Sequence, residues 1–100
     1  MKIIIAGAGA VGTHLAKLLS REKQDIILMD DDEDRLSSMG SNFDLMAVTG
    51  SPTSIGALKD IGVEGAELFV AVTPDESRNI TACMLATNLG AKKTLARIDN

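Results

Sequence analysis

The chain has 100 residues, a formal net charge of −4, 45% hydrophobic residues and two aromatics, Phe43 and Phe69. That length holds one domain, and the apolar content suffices for a core. With no Lys/Arg cluster to neutralise phosphates, the acidic balance argues against a nucleic-acid surface or an anionic lipid surface, and Cys83 as sole cysteine excludes an intrachain disulfide or cysteine-based metal site.

Lys2 to Ala6 is an apolar, β-branched run and reads as the first strand. Gly7 follows at once, too early for a signal-length run or a spanning helix, so a cytoplasmic location without direct membrane insertion is expected. The turn Gly7-Ala8-Gly9-Ala10-Val11-Gly12 comes next, and Val11 to Glu22 reads as a helix with Val11, Leu15, Leu18 and Leu19 on its apolar stripe. Each glycine has a physical role: Gly7 allows the tight turn, Gly9 lets the backbone approach a pyrophosphate, and Gly12 permits helix to pack closely on strand. Phosphates are expected at the helix start, whose unpaired N–H groups and dipole attract anions. Gly7, Gly9, Ala10, Val11 and Gly12 form that contact set. His14 reads as a solvated histidine on the same helix.

Asp25 to Met29 reads as the second strand, with Asp30 eighteen positions beyond Gly12. A carboxylate there accepts both ribose hydroxyl protons and repels a 2′-phosphate, which favours NAD over NADP. Asp31 to Asp34 cap and charge the start of the next helix, which carries Leu36 and Met39, and Asp31 stands beside Asp30 among the candidate cofactor-binding residues. Leu45 to Val48 reads as the third strand. Thr49 to Thr53 follow it, including Gly50 and Ser51, placed for ligand contact or, at Ser51 and Thr53, for capping the helix Ser54 to Ile61 that stops at Gly62. Leu68 to Val72 reads as the fourth strand, with Thr73 to Ser77 beyond it; Thr73 is a ligand or capping residue and Asp75 a cap. The helix Asp75 to Leu89 stops at Gly90 and is apolar nearly all round, through Ile80, Cys83, Met84 and Leu85, so a second copy or a continuation of the chain is expected to cover it. Cys83 and the methionines read as packing residues. Thr94 to Ile98 reads as the fifth strand, where Arg97 fits a phosphate or carboxylate partner or an exposed edge position.

The strands are continuous rather than alternating, which implies a parallel sheet buried on both faces. The expected fold is therefore α/β: a Rossmann-like, doubly wound parallel sheet in three layers, α/β/α, over residues 1–100. No His, Lys, Ser or Cys stands in an acid–base or nucleophilic constellation, so no catalytic residue is assigned. The residues by themselves point to an adenine-nucleotide site, and the cofactor half of an NAD-dependent oxidoreductase is one function that such a site allows.

The runs MKIIIAGAGAVGTHLAKLL, DIILMDDDEDRL, AVTGSPTSIGALKDIGVEGAELFVAVTPDESRNITACMLA and TLARIDN together resemble the amino-terminal nucleotide-binding domains of Trk-type potassium-uptake regulators, also called KTN or RCK domains. Ordinary dehydrogenases share only the glycine turn, whereas this resemblance extends to GVEGAELFVAVT, to Glu76 and Asn79, and to the ending A-R-I. It implies a non-catalytic regulatory domain that binds NAD(H) or ADP/ATP, forms dimers or higher homo-oligomers, and serves a potassium-translocating membrane subunit at the cytoplasmic face of the membrane. Apart from the resemblance, the apolar surplus of the helix Asp75 to Leu89 and the stop just after the fifth strand lead to the expectation that the chain is a fragment of a longer polypeptide. By position it assigns Gly7, Gly9 and Gly12 to the phosphates, Asp30 to the ribose, Thr73 to the fourth strand end and Arg97 to the ligand's vicinity. Two departures stand out. Gly50 is followed by Ser51 and Pro52 rather than an acid or amide that would bind the adenine amino group, and Gly12 stands where ATP-binding relatives carry an arginine, which favours NAD(H).

Overall fold

Ile3, Ile4 and Ile5 prefer extended backbone because branching at Cβ suits a pleated, buried surface. They form β1 (Lys2–Ala6), the centre of a sheet in the computed structural model, which describes residues 1–39 and 43–99. Chain order continues with α1 (Ala10–Ser20), β2 (Asp25–Asp30), α2 (Glu33–Ser37), β3 (Met46–Thr49), α3 (Ile55–Asp60), a 3₁₀ turn at Val63–Gly65, β4 (Leu68–Ala71), α4 (Glu76–Asn88) and β5 (Thr94–Ala96). All the strand pairs are parallel and the order is β3-β2-β1-β4-β5. The chain thus moves outward from β1 to one edge, returns to its other side, and moves outward again, which is the doubly wound arrangement expected.

Alternation along the strands divides the core into two layers. Ile3, Ile5, Ile26, Leu28 and Val70 pack with Ala16 of α1 and Leu36 of α2. Ile4, Ala6, Ile27, Met29, Phe69 and Ala71 pack with Leu58 of α3 and with Ala82, Cys83 and Ala86 of α4. Ala16, Ala82 and Ala86 are fully buried, and their small side chains let the helices lie close on the sheet. Lys2 fastens the amino-terminal edge, donating from Nζ to the carbonyls of Ile61 (2.8 Å) and Gly62 (2.9 Å) just past α3. A cation at a helix C-terminus also complements its dipole.

Three expectations require correction. Burial on both faces holds for β1, β2 and β4 but not for β3 and β5, which lie at the edges; Met46 and Leu95 are exposed there. The fifth strand ends at Ala96, and Ile98 lies beyond it, exposed. The inward face of α1 is Gly12, Leu15, Ala16 and Leu19, while Val11 and Leu18 are 45% and 47% exposed. The cause is Gly12, which must abut the turn after β1 and so sets the roll of the helix. Val11, His14 and Leu18 then line a shallow apolar surface.

Candidate nucleotide-binding site

The sheet ladders run one residue past the strands at their carboxyl ends. Gly7 N–H donates to the Met29 carbonyl (2.9 Å), Gly50 N–H to Asp30 (2.9 Å), Val72 N–H to Ala6 (2.8 Å) and Arg97 N–H to Ala71 (2.9 Å). Gly7, Asp30, Gly50, Thr73 and Arg97 therefore emerge along one edge of the sheet, where open α/β sheets bind ligands. Reversal of strand order at β1 and β4 places the switch point beside the glycine turn.

The three glycines meet different surroundings. Gly7 has φ +117°, and a Cβ there would lie 2.9 Å from the Thr73 nitrogen. A Cβ on Gly12 would fall on the Gly7 carbonyl, so these two glycines fit helix to turn. Gly9 is different: a Cβ there meets nothing within 4 Å. Gly9 is also the N-cap of α1 and supplies no side-chain acceptor, and no acidic residue lies in the first turn. By contrast, Asp32, Ser54 and Asp75 accept bonds from first-turn N–H groups of α2, α3 and α4. Ser54 thus caps α3, correcting the expectation of Ser51 or Thr53. Among the described residues the start of α1, at Ala10, Val11 and Gly12, keeps its N–H groups free of side-chain acceptors and fits an anion.

Asp30 is 4% exposed. Its Oδ2 accepts the Ala8 N–H (2.7 Å) and its Oδ1 the Asp32 N–H (2.8 Å), and Arg35 Nη1 stands 3.6 Å from Oδ1. The carboxylate ties the glycine turn to β2. Each of its oxygens has a second lone pair, so this structural duty leaves acceptor capacity for ribose hydroxyls.

Thr73 is committed within the protein: its hydroxyl donates to Asn79 Oδ1 at 2.6 Å and accepts from the Asp75 N–H at 3.2 Å. Asn79, 1% exposed, also accepts the Thr73 N–H (2.9 Å) and donates from Nδ2 to the carbonyls of Thr73 (2.9 Å) and Arg97 (3.0 Å). One amide therefore locks the ends of β4 and β5 together. The Arg97 side chain pairs with Asp99 (3.3 Å). Gly50 leaves room for Ala57, whose Cβ would lie 3.3 Å from a Cβ at that position.

Sequence reasoning missed Arg78. From the first turn of α4 its Nη2 pairs with Asp31 and reaches Ser51 Oγ at 3.1 Å, and Ser51 Oγ lies 3.0 Å from Thr53 Oγ1. Hydrogen bonding by this guanidinium holds the Asp31 carboxyl below the usual aspartate range. Asp31 thus has a pairing role rather than the capping role expected, which belongs to Asp32. Only the i, i+1 placement of Arg78 and Asn79 behind Asp75 hinted at a polar cluster. Cys83 behaves as expected: it is buried among apolar groups, and desolvation pushes its thiol pKa up. Among the described residues no group of His, Cys, Asp and Glu is placed to hold a metal ion, and no helix is long and apolar enough to cross a membrane.

Similarity to known proteins agrees with this geometry. Over its full length the chain is 45% identical to the Trk system potassium uptake protein TrkA of Haemophilus influenzae and 38% identical to a TrkA homolog of Archaeoglobus fulgidus, and it spans 22% of the length of each. Among solved structures, the NAD(P)-binding domain of an exopolyphosphatase-related protein from Archaeoglobus fulgidus matches 98% of this chain and 73% of its own at a TM-score of 0.85 with 16% identity. The AMP-bound Kef C-terminal domain of Shewanella denitrificans matches 95% of this chain and 57% of its own at 0.76 with 21% identity. These structural likenesses establish the shared Rossmann-like fold. Residues 3–100 match the TrkA-N domain family, and with the glycine turn, the buried acid that ends β2 and the A-R-I ending all on one sheet edge, the chain belongs to that family.

Proposed function

We propose that this domain is the nucleotide sensor of a potassium-uptake system. It takes NAD(H), or ADP/ATP, across the carboxyl ends of β1 and β2 and, as a homo-oligomer, acts on a potassium-translocating membrane subunit from the cytoplasmic side. The observation that carries the reading is the start of α1: free of side-chain acceptors, open in front of Gly9, and tied through Ala8 to the buried Asp30. The relatives named for potassium uptake supply the physiological context. As a TrkA-N domain the chain is a regulatory module rather than an enzyme.

In this reading Gly7, Gly9, Ala10, Val11 and Gly12 hold the phosphates and Asp30 the ribose. Asp31, Gly50 and Ser51 border the adenosine side, while Thr73 and Arg97 shape the opposite side. NADH and ADP are expected to bind, with NADPH much weaker because a 2′-phosphate would stand against the Asp30 carboxylate. Calorimetric titration of the purified protein with NADH, ADP, ATP and NADPH tests this. Equal affinity for NADH and NADPH would overturn the role of Asp30, and absence of binding by all four would overturn the nucleotide reading.

A further inference from the structure

Two consecutive residues in the first turn of α4 contact the ends of four of the five strands. Asn79 joins the residues after β4 and β5, through Thr73 and Arg97. Arg78 joins the residues after β2 and β3, through Asp31 and Ser51. β1 lies between β4 and β2 in the sheet, so the Arg78 link joins a helix packed on β4 and β5 to the residues after β2 and β3. The remaining strand end, that of β1, carries the glycine turn. Nothing in strand pairing requires the Arg78 link: the sheet is already complete at Gly50 and Asp30 through backbone hydrogen bonds.

We propose that Arg78 is a positioning residue for the adenosine side of the nucleotide site, holding Asp31 and Ser51 in the relative placement that a bound nucleoside requires. The role rests on the nucleotide reading above and adds a residue that the glycine turn and Asp30 do not include. A guanidinium has five N–H donors in a rigid fork, so one group can serve a carboxylate and a hydroxyl at once where a lysine offers a single charge. Asp31 and Ser51 follow neighbouring strands, and both lie on the β2–β3 side, beyond Asp30 as seen from the phosphate turn. Loosening them alters the nucleoside end of the site and leaves the start of α1 untouched.

The test is a double-mutant cycle of Arg78→Ala and Asp31→Asn, with Arg78→Lys as a second variant at the arginine. Calorimetry measures ADP and inorganic pyrophosphate on each protein, and circular dichroism verifies the fold. Arg78→Ala is expected to weaken ADP about tenfold, the scale of a charge-assisted hydrogen bond, with pyrophosphate unchanged and Arg78→Lys recovering only part of the loss. The double variant should lose no more than the larger single loss, since the two groups act through one another. Wild-type binding of ADP with Arg78→Ala unchanged would overturn the positioning role alone. Equal weakening of ADP and pyrophosphate would place the effect on the phosphates and overturn it too. A wild-type protein that binds neither would overturn the nucleotide reading and this role with it.

Discussion

Gly9→Val separates ligand chemistry from packing at the glycine turn. A Cβ at Gly9 meets nothing within 4 Å, and the residue's φ of −76° and ψ of −164° are extended values that valine adopts readily. The folding cost is therefore limited to replacing glycine at an N-cap, about 1 kcal/mol at most, or about 4–8 °C in Tm for a domain of this size. The isopropyl group would fill the space a pyrophosphate must enter, and loss of that approach should weaken ADP at least about 100-fold, roughly 2.7 kcal/mol. Gly12→Ala is the opposite case. Alanine gains about 1 kcal/mol in helix propensity, but its methyl group would fall on the Gly7 carbonyl, and displacing backbone there costs about 3 kcal/mol or more. The net loss of about 2 kcal/mol predicts a Tm lower by about 8–16 °C. Thermal melts by circular dichroism and ADP titration by calorimetry measure both quantities. The reasoning fails if Gly9→Val melts as low as Gly12→Ala, or if it binds ADP like the wild type.

Asp31→Asn should lower thermal stability at neutral pH by an amount that disappears in acid. The folded-state pKa of Asp31 is depressed, so the contribution of its pair with Arg78 is fully present above the unfolded value of about 3.9 and is lost as pH falls through the lower folded value. A gap between variant and wild type that does not narrow as pH falls below the unfolded value would show that the carboxylate charge is not its source. Lys2→Met removes two hydrogen bonds to carbonyls beyond α3 and should cost about 1–2 kcal/mol in urea unfolding, and an unchanged midpoint would discount those bonds. Met84, 63% exposed on α4, should face any partner copy, whereas Leu85 packs against the core. Met84→Lys is thus expected to weaken self-association at least about tenfold by sedimentation, because an unpaired charge would be buried, and a strictly monomeric wild type would dismiss that surface as an interface.

The parts of the fold that one element determines by itself were legible before any coordinates. Three successive isoleucines, a glycine turn and an acid after the next apolar run define β1, the start of α1 and the end of β2, since each is set by backbone geometry. Gly62 and Gly90 stop their helices with φ of +71° and +115°, a conformation that glycine adopts at little cost. Features that depend on neighbours were less legible. Val11 and Leu18 fit the helical stripe by spacing, yet the contact of Gly12 with Gly7 turns them outward, and no periodicity contains that contact. Met46 and Leu95 read as core residues because an apolar run does not reveal whether its strand is central or at an edge. Thr73 was placed at a strand end correctly, but its hydroxyl is satisfied by Asn79, six residues later in the chain. Arg78 was missed because its partners are 47 and 27 residues away and come together only through the parallel crossovers.

That connectivity bears on how a small ligand can act on a large partner. A nucleotide shifts a conformational equilibrium only by its difference in affinity for two states, and a tenfold shift requires about 1.4 kcal/mol of difference. The start of α4 is suited to create such a difference, because Arg78 and Asn79 join it to the residues after β2, β3, β4 and β5. The same helix carries Ile80 and Met84 on its outer side, next to Thr94 and Ala96 of the edge strand. A displacement of α4 at a subunit contact would therefore disturb Asp31 and Ser51 at the nucleoside end while the α1 start, held by Gly12 against Gly7, stays in place. Phosphate binding should then be nearly the same in the two states, and the adenosine end should carry the discrimination between them. On the proposed reading, the ligand that best reports an assembly state should accordingly be the one with the most contact beyond β2 rather than the one with the most phosphate.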